Sequence, residues 1–255
     1  MPTERFLLNG AEILVGADVE ETVRIAAGQF TAAARKLAAE KGSFQVALSG
    51  GSTPRKLFET LGAEPFRGLV PWHAVHVYWG DERDVAPGDA QSNYGVAREL
   101  LLSRVPVPAA QVHRIPAGNT TAVEAAELYQ RTLRDRLPLL RDLPRLDYVL
   151  LGLGTNGHTA SLFPHCPALH EQSRLVTADH VEEVGGWRIT LTAGVLNNAG
   201  QITFLATGAD KAAVVQLVLC GERDTEQTPA QLIAPRQGQL TWILDATAAE
   251  KLPRG

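Results

Sequence analysis

The chain has 255 residues, of which 45% are hydrophobic and 20% charged, and its formal net charge is −4. This composition is typical of a globular protein with a substantial core, and it lacks the basic surface of most nucleic-acid-binding proteins. Apolar runs are too short for a membrane-spanning helix, and two cysteines without a CxxC pair argue against a zinc site or a disulfide framework.

The chain shows no low-complexity linker and no internal repeat. Proline-containing stretches at 105–108 and 164–167 are typical of loops rather than of domain boundaries. We therefore expect one domain over residues 1–255. The N-terminal residues lack the apolar segment of a signal peptide and cysteine is scarce, so we expect a cytoplasmic protein.

The predicted elements alternate between strands and helices. Residues 5–15 predict a short hairpin at a sheet edge, and Asp18 and Gly42 are placed to cap and to end a helix over 19–41. Strands are then predicted at 44–48, 74–79, 147–151, 188–191, 202–206 and 240–244, and helices at 54–61, 94–104, 123–137 and 210–219. This alternation predicts an α/β fold with an open, mostly parallel sheet covered by helices on both faces.

The first candidate site is the loop Ser49-Gly-Gly-Ser-Thr-Pro54, which joins a predicted strand to a predicted helix. A helix N-terminus presents free backbone N–H groups to an anion, and Ser52 and Thr53 add hydroxyl donors. The spacing is not that of a P-loop. The pattern indicates either a phosphate site or a tight turn with Thr53 as the helix N-cap.

The second candidate site, Gly80-Asp-Glu-Arg83, follows the next predicted strand, with Ser92-Asn93 nearby in sequence. Arg83 could bind a phosphate or carboxylate through two parallel hydrogen bonds, and Asp81 could orient Arg83 or a substrate hydroxyl. The alternative is a charged surface turn. Its position directly after a strand favours a functional role.

The third candidate site is Gly152-Leu-Gly-Thr-Asn-Gly-His158, directly after the strand at 147–151. Open α/β sheets bind ligands at the carboxyl ends of their strands, so we expect an active site here. The glycine spacing matches a dinucleotide fingerprint, but Pro164 and Pro167 leave no room for the full helix that this motif requires. We expect His158 at a helix N-terminus, where the dipole would keep the imidazole neutral and suited to act as a general base. The alternative is a structural histidine that is hydrogen-bonded to the backbone at the start of a helix.

Two cations lie next to other predicted strands. Arg188 begins the strand at 188–191, and Lys211 lies in the first turn of a helix, where a lysine is unfavourable unless it meets an anion. Together with the serine-glycine loop, they predict one anion-binding pocket. The histidines show no metal-binding spacing such as H-E-x-x-H and the chain has no G-x-S-x-G elbow, so we expect neither a metal site nor a serine-hydrolase triad.

These motifs resemble the 6-phosphogluconolactonase family, which belongs with the glucosamine-6-phosphate isomerases. The matching stretches, in the order of the family, are Leu48-Ser-Gly-Gly-Ser-Thr-Pro54, Asp81-Glu-Arg83 with Ser92-Asn93, Gly152-x-Gly-x-x-Gly-His-Thr-Ala-Ser-Leu-Phe-Pro164, Arg188-Ile-Thr and Gly208-x-x-Lys211. The C-terminal Pro229-Ala-x-x-Ile-x-Pro and Trp242-x-Leu-Asp245 extend the resemblance over nearly the whole chain.

The resemblance implies hydrolysis of 6-phospho-D-glucono-1,5-lactone to 6-phosphogluconate in the oxidative pentose phosphate pathway, without a metal or organic cofactor. It implies the three-layer αβα fold shared with ribose-5-phosphate isomerase and glucosamine-6-phosphate deaminase. The expected partner is a small phosphorylated sugar lactone, with no nucleic acid and no membrane, for a monomer or small homo-oligomer. The expected catalytic residues are His158 as the base, Asn156, Asp81 and Arg83. The expected substrate and phosphate contacts are Ser49, Gly50, Gly51, Ser52, Thr53, Gly154, Gly157, Arg188 and Lys211.

The chain departs from the pattern of that family in two places. The family usually has Asp two residues before the histidine, where this chain has Asn156, and a Lys-Pro-Pro element before the Arg-Ile-Thr strand, where it has Val184-Gly-Gly-Trp187. An amide can hydrogen-bond an imidazole but cannot supply the charge of a carboxylate. We therefore assign Asn156 an orienting role at most and expect a different lid over the substrate.

Two other functions are alternatives. An aldose–ketose isomerase or deaminase on the same scaffold moves a proton between C1 and C2, and deaminases of this type continue the Gly-His element with Asn-Glu-Pro. This chain has Ser161-Leu-Phe-Pro164 there, without a carboxylate. A sugar-phosphate sensor would need the anion site but not His158, and the chain has no apparent DNA-binding helix-turn-helix and no basic character.

Overall fold

The computed structural model describes residues 3–253. The strands are β1 (Glu4–Leu8), β2 (Ala11–Gly16), β3 (Phe44–Leu48), β4 (Val75–Trp79), β5 (Asp81–Arg83), β6 (Leu139–Leu140), β7 (Leu143–Pro144), β8 (Tyr148–Leu151), β9 (Val176–Val181), β10 (Gly186–Leu191), β11 (Gln201–Ala206) and β12 (Gln239–Asp245). The α-helices are α1 (Val19–Lys41), α2 (Ser52–Leu61), α3 (Phe66–Leu69), α4 (Asn93–Ala97), α5 (Ala122–Arg136), α6 (Ala193–Leu196) and α7 (Ala212–Cys220).

The central sheet of the described residues has seven strands in the order β1-β2-β12-β11-β8-β3-β4, and the predicted α/β class is confirmed. Strand β1 is antiparallel to β2, and the other adjacent pairs are parallel. The chain passes from β3 outward to β4, returns to β8 on the other side of β3, and then continues to β11 and β12. The strand order therefore reverses between β3 and β8, the kind of position at which open α/β sheets bind ligands.

Helices cover both faces of this sheet. The side chain of Gln29 on α1 accepts hydrogen bonds from the Tyr148 hydroxyl (3.0 Å) and the Thr203 hydroxyl (2.9 Å), which places α1 on the face to which both residues point. Side chains alternate along a strand, so Phe204 points to the opposite face. There it stacks on Trp242, with ring centroids 4.0 Å apart, beside the end of α7. The result is a three-layer arrangement.

The long helix α1 begins and ends where the sequence predicts. The Asp18 carboxylate accepts a hydrogen bond from the Glu21 amide (2.8 Å), and Gly42 adopts a left-handed conformation with φ of 75° at the C-cap. Val23, Ala26 and Phe30 are buried on one side of the helix. The predicted periodicity thus corresponds to the face that packs on the sheet.

A second, three-stranded antiparallel sheet has the order β5-β10-β9, and α5 packs against β9 and β10. Residues 81–83 form β5 and not the charged surface turn that was the alternative interpretation of this segment. Their backbone leaves the central sheet at Gly80 and pairs with β10 instead. This second sheet brings residues 81–83 and 188–190 to one place.

Three predicted helices differ in detail from the helices of the structure. Gly51 is the N-cap of α2, so the alternative that placed Thr53 at the N-cap is wrong. Pro54 lies inside the first turn, where its missing N–H costs no helical hydrogen bond. The helix predicted over 94–104 consists of α4 and a π-helical segment, Arg98–Leu102. The helix predicted over 210–219 begins with a 3₁₀ turn before α7.

Among residues 3–253, no helix combines the length and apolar character needed to cross a bilayer.

Candidate active site

The carboxyl ends of β3, β4, β8 and β11 surround a cavity of about 220 Å³. Of the residues predicted from the sequence, those that line it are Ser49, Gly50, Gly51, Ser52, Thr53, Asp81, Arg83, Gly154, His158 and Lys211. Sequence motifs more than 150 residues apart at their extremes therefore meet at the reversal point of the sheet. Its lining includes two cations, Arg83 and Lys211, and two acid/base groups, Asp81 and His158.

The serine-glycine loop forms the wall of the cavity at the N-terminus of α2. Gly51 has φ of 113°, a conformation that only glycine adopts easily, and it precedes the first amides of α2, whose residues Ser52 and Thr53 line the cavity. Those amides have no partner within the helix. A Cβ at Gly50 would overlap the Asn93 side chain, so glycine is required there as well. The Thr53 hydroxyl lies 2.9 Å from that of Thr207, at the end of β11.

One face of the second sheet presents two arginines and an aspartate to the site. Arg188 is directly opposite Arg83, and Thr190 is directly opposite Asp81. Residues two apart on a strand and opposite each other on neighbouring strands share a face, so these four side chains are grouped. Like charges directly opposite each other destabilise a strand pair, which makes this face favourable for an anion.

Asp81 connects three parts of the site. Its carboxylate accepts hydrogen bonds from the Ser161 hydroxyl (2.7 Å) and the Asn93 amide (3.3 Å), and its carbonyl oxygen accepts a second one from Asn93 (3.0 Å). Burial raises the pKa of this carboxyl, while Arg83, Ser161 and Arg188 oppose the shift. Asp81 thus joins β5 to the histidine loop and to the start of α4.

Glu82, which the sequence analysis did not single out, organises the segment around α4. Its buried carboxylate accepts hydrogen bonds from the amides of Arg83, Asn93 and Tyr94 and from the Ser92 hydroxyl, at 2.7–3.1 Å. A buried carboxylate with four donors fixes the backbone of both segments. The one available signal was its place inside the Asp-Glu-Arg motif.

The loop that carries His158 contains no helix, so the prediction of a helix N-terminus at this residue is wrong. Gly157 has φ of 84° and its carbonyl oxygen accepts a hydrogen bond from the Ala230 amide (2.9 Å). The Thr159 hydroxyl donates to the Gly152 carbonyl oxygen (2.9 Å), and the Ser161 amide donates to the Thr190 hydroxyl (3.3 Å). Hydrogen bonds to neighbouring segments replace helical ones in holding the loop.

The imidazole of His158 is fixed by a ring and an amide. Its ring stacks on Phe163, with centroids 4.2 Å apart, and its Nδ1 lies 2.6 Å from Oδ1 of Asn156. An amide oxygen can only accept, so Nδ1 carries the proton and Nε2 has the free lone pair. Gly154 leaves space for this ring, because a Cβ at that position would overlap Nδ1 and Cε1.

Burial and, in decreasing order of importance, the charges of Lys211, Arg83 and Arg188 together lower the pKa of His158 to about 4. These causes replace the helix dipole that the sequence analysis invoked. The imidazole is neutral at physiological pH and can accept a proton at Nε2.

Lys211 reaches the cavity from the turn between β11 and α7. The buried carboxylate of Asp245 accepts hydrogen bonds from the amides of Gly208 (3.0 Å) and Ala248 (2.7 Å), which fixes the start of that turn. The carboxylate of Asp210 lies 3.5 Å from the Lys211 ammonium, and the Asp210 side chain is largely exposed. Lys211 is therefore available to an anion in the cavity.

Three predicted site residues lie outside the cavity wall. Asn156 contacts His158 from behind, Gly157 shapes the loop, and Arg188 acts on the site by its charge from β10. In the part of the chain that the structure describes, no group of three or more His, Cys, Asp or Glu side chains is arranged to hold a metal ion.

The chain matches the family model described as glucosamine-6-phosphate isomerases/6-phosphogluconolactonase over residues 17–242. It is 40% identical to 6-phosphogluconolactonase of Synechocystis sp. over 85% of this chain and 88% of that one, and 41% identical to 6-phosphogluconolactonase of Nostoc sp. over 84% and 86%. The solved structure of 6-phosphogluconolactonase from Trypanosoma brucei superposes with a TM-score of 0.86 at 30% identity, over 97% of this chain and 100% of that one.

Proposed function

Since the chain belongs to the glucosamine-6-phosphate isomerase/6-phosphogluconolactonase family, we propose that it hydrolyses 6-phospho-D-glucono-1,5-lactone to 6-phosphogluconate, with His158 as the general base. Three observations support this assignment: the curated relatives at 40–41% identity, the cationic cavity, and a neutral imidazole in its wall. The observation that carries the mechanism is the bond from Nδ1 of His158 to Asn156, which leaves Nε2 free to accept a proton.

In the proposed reaction, Nε2 of His158 removes a proton from water as the water oxygen adds to C1 of the lactone. The C1 oxygen becomes negatively charged, and the cations and α2 amides around the cavity stabilise that charge. The bond between C1 and the ring oxygen then breaks, and the imidazolium returns its proton to the departing oxygen. One water is consumed and the imidazole is regenerated. No covalent enzyme intermediate is required, because a lactone is already an activated ester.

The phosphate of the substrate would also strengthen the base. Lys211, Arg83 and Arg188 each lower the pKa of His158 through their positive charge. A phosphate dianion among these groups offsets their charge, so the pKa of His158 rises toward neutrality in the complex. A base with a pKa nearer the working pH transfers protons more efficiently. Substrate binding and base strength are coupled in this proposal.

The isomerase or deaminase alternative is not supported by the loop. A carboxylate in the Ser161–Pro164 stretch would be needed to move a proton between C1 and C2, and Ser161, Leu162 and Phe163 are buried without one. Ser161 instead donates to Asp81, whose oxygen atoms are already engaged. Release of ammonia and formation of fructose-6-phosphate from glucosamine-6-phosphate would contradict the lactonase assignment.

The experiment is a lactonase assay on 6-phosphogluconolactone generated in situ, corrected for spontaneous hydrolysis. We expect His158→Asn to lower kcat by about 10²–10⁴-fold with an unchanged fold, because a positioned general base contributes about that factor. Circular dichroism and Tm serve as the folding control. A variant that keeps the full rate would exclude His158 as the base. Tight binding of 6-phosphogluconate by a wild-type protein that does not hydrolyse the lactone would favour a sensor.

The cellular and quaternary context belongs to the same proposal. We expect the chain to act in the cytoplasm as a monomer or small homo-oligomer. The site draws on residues from 49 to 211, which supports treating residues 1–255 as one catalytic domain. Gel filtration with light scattering measures the oligomeric state.

A further inference from the structure

We propose that Glu183 is a positioning residue for the base: it holds the amide of Asn156 so that Oδ1 faces His158, and it supplies through that amide the negative charge that the imidazolium requires. Glu183 lies in the short turn between β9 and β10, 27 residues from Asn156 in sequence. Nothing in the proposed reaction brings Glu183 to the substrate. Its action would be exerted wholly through Asn156, and the proposal rests on the proposed role of His158.

The three side chains form a continuous hydrogen-bonded chain. Nδ2 of Asn156 lies 2.8 Å from Oε1 and 2.9 Å from Oε2 of Glu183. On the other side of the amide, Oδ1 lies 2.6 Å from Nδ1 of His158 and accepts a second hydrogen bond from the His158 backbone amide (3.2 Å). Both polar groups of the Asn156 side chain thus have a partner.

The donors and acceptors allow only one orientation of this amide. A carboxylate can only accept, so the atom facing Glu183 is the NH₂ group. A backbone N–H can only donate, so the atom facing the His158 amide is the oxygen. Reversing the Asn156 amide would place its NH₂ group against the His158 backbone N–H and its oxygen against a carboxylate. Glu183 therefore selects the amide orientation that in turn selects the Nδ1–H tautomer of His158.

Charge is the second part of the inference. Proton transfer converts His158 to a cation in a buried site where Lys211, Arg83 and Arg188 already disfavour positive charge. The amide of Asn156 carries no charge, whereas Glu183 behind it does. A carboxylate linked through one polarised amide stabilises the imidazolium, as an aspartate does in direct contact in other histidine-dependent hydrolases.

The pKa of a thiol outside the cavity, that of Cys166, responds to the charge of Glu183. Burial chiefly raises the pKa of this thiol, and the charges of Asp179 and Glu183 add to the shift. Cys166 does not line the cavity, so its titration reports on the charge at position 183 independently of catalysis.

The test compares Glu183→Ala and Glu183→Gln with Glu182→Ala as the matched control, since both glutamates are exposed in the same turn and only Glu183 bonds Asn156. We expect Glu183→Ala to lower kcat about 10-fold with KM within about twofold, by analogy with the partners of metal-bound histidines, whose removal costs about 10–100-fold. Glutamine keeps an acceptor for Asn156 but no charge, so Glu183→Gln should recover part of that loss. Glu182→Ala should have the wild-type kcat.

A readout independent of turnover separates failure of this inference from failure of the proposed function. NMR titration of ¹⁵N-labelled His158 gives its tautomer and pKa without substrate. We expect the Nδ1–H tautomer in the wild-type protein and a further lowered pKa in Glu183→Ala, because an anion that favours the imidazolium has been removed. An unchanged tautomer and pKa in both Glu183 variants would overturn the proposal, whether or not the protein hydrolyses lactones.

The decisive comparison places the Glu183 change in an Asn156→Asp background. The carboxylate introduced at position 156 would accept from His158 directly, and it would replace the amide donor beside Glu183 with a second anion, so the two would repel each other. Glu183→Ala should then leave kcat unchanged or raise it, the reverse of its effect beside Asn156. An equal loss in both backgrounds would show that Glu183 only supports the turn between β9 and β10, and would refute the relay.

Discussion

At the scale of single residues, the position of the His158 imidazole depends on the absence of a side chain at Gly154. His158 lies between the ring of Phe163 and the backbone of Gly154, and a Cβ at 154 would occupy the space of Nδ1. The bond from Nδ1 to Asn156 can form only if that space stays open. Gly154 is therefore needed for the geometry of the base and not for a turn, because its backbone does not have a positive φ.

We expect Gly154→Ala to lower kcat by about 10²-fold, since small displacements of catalytic groups have effects of this size. Steady-state kinetics on the lactone measure this effect. Gly88→Ala is the matched control, because a Cβ at Gly88 meets no heavy atom within 4 Å. Equal activity of the two variants would mean that the imidazole does not need the geometry seen here.

Single residues of the site differ in how far the sequence alone could predict them. The interpretation of Asn156 as an orienting group agrees with its hydrogen bond to His158, although its catalytic role stays a prediction. Glu183 carried no signal, because its link to the site is a contact across 27 residues from a short turn. Thr207 could have been found, since it follows β11 as Ser49 follows β3.

At the scale of elements, predictions succeeded where a local physical signal decides the boundary. Asp18 caps the N-terminus of α1 and the left-handed Gly42 ends the helix, and each of these signals is adjacent in sequence to the boundary that it sets. They failed at 81–83 and after Gly157, where the backbone finds its hydrogen-bond partners in β10 and at Ala230. Such partners lie far away in sequence, so no local pattern reveals them.

Helix α1 offers a test of local stability. Gly28 lies exposed in its middle, and a Cβ there meets no heavy atom within 4 Å. We expect Gly28→Ala to raise the free energy of unfolding by about 0.5–1 kcal/mol, because glycine loses more conformational freedom on entering a helix than alanine does. Urea denaturation followed by circular dichroism measures the change. A lower stability would indicate a contact on that face of α1 that the monomer does not show.

At the scale of the whole molecule, several histidines link stability to pH. Burial lowers the pKa of His113 to about 4, and His76, 3.4 Å away, and Arg136 contribute; burial also lowers the pKa of His76. His158 behaves in the same way. A base with a lowered pKa in the folded state takes up protons more readily when unfolded, so these groups stabilise the fold above about pH 6.5 and lose that contribution as pH falls toward about 4.

We therefore expect Tm to fall between about pH 6.5 and 4, and His113→Gln to make that fall shallower. Asp81 and Glu82 change stability with pH in the opposite direction at the acidic end of this range. Burial raises their pKa in the folded state, so the stability that they contribute is lost as pH rises. They are unchanged in the variant, so the difference between the two curves isolates His113. His73→Gln, at an exposed position, is the control. Parallel curves for wild type and His113→Gln would contradict the assignment.

The overall architecture was the most predictable level. Alternating strands and helices indicated the parallel sheet, and the strand-end rule brought most of the site residues to one cavity. The second sheet was not predicted, because β5 comes from a segment about 100 residues before β10, the strand with which it pairs, and no local pattern reveals such a distant partner. It is this second sheet that adds Arg188 to the site.

The pairing of Arg83 with Arg188 across β5 and β10 links the affinity of the site to the stability of the fold. The two guanidinium groups repel each other across the strand pair in the free protein, and a bound dianion would remove that repulsion. Linkage is reciprocal, so the free energy by which a bound anion stabilises this strand pair equals the free energy that the strand pair contributes to anion binding. The ligand would then act as the counterion that the second sheet lacks. A substitution that relieved the repulsion in the free protein would therefore raise the free energy of unfolding and lower the affinity for the anion.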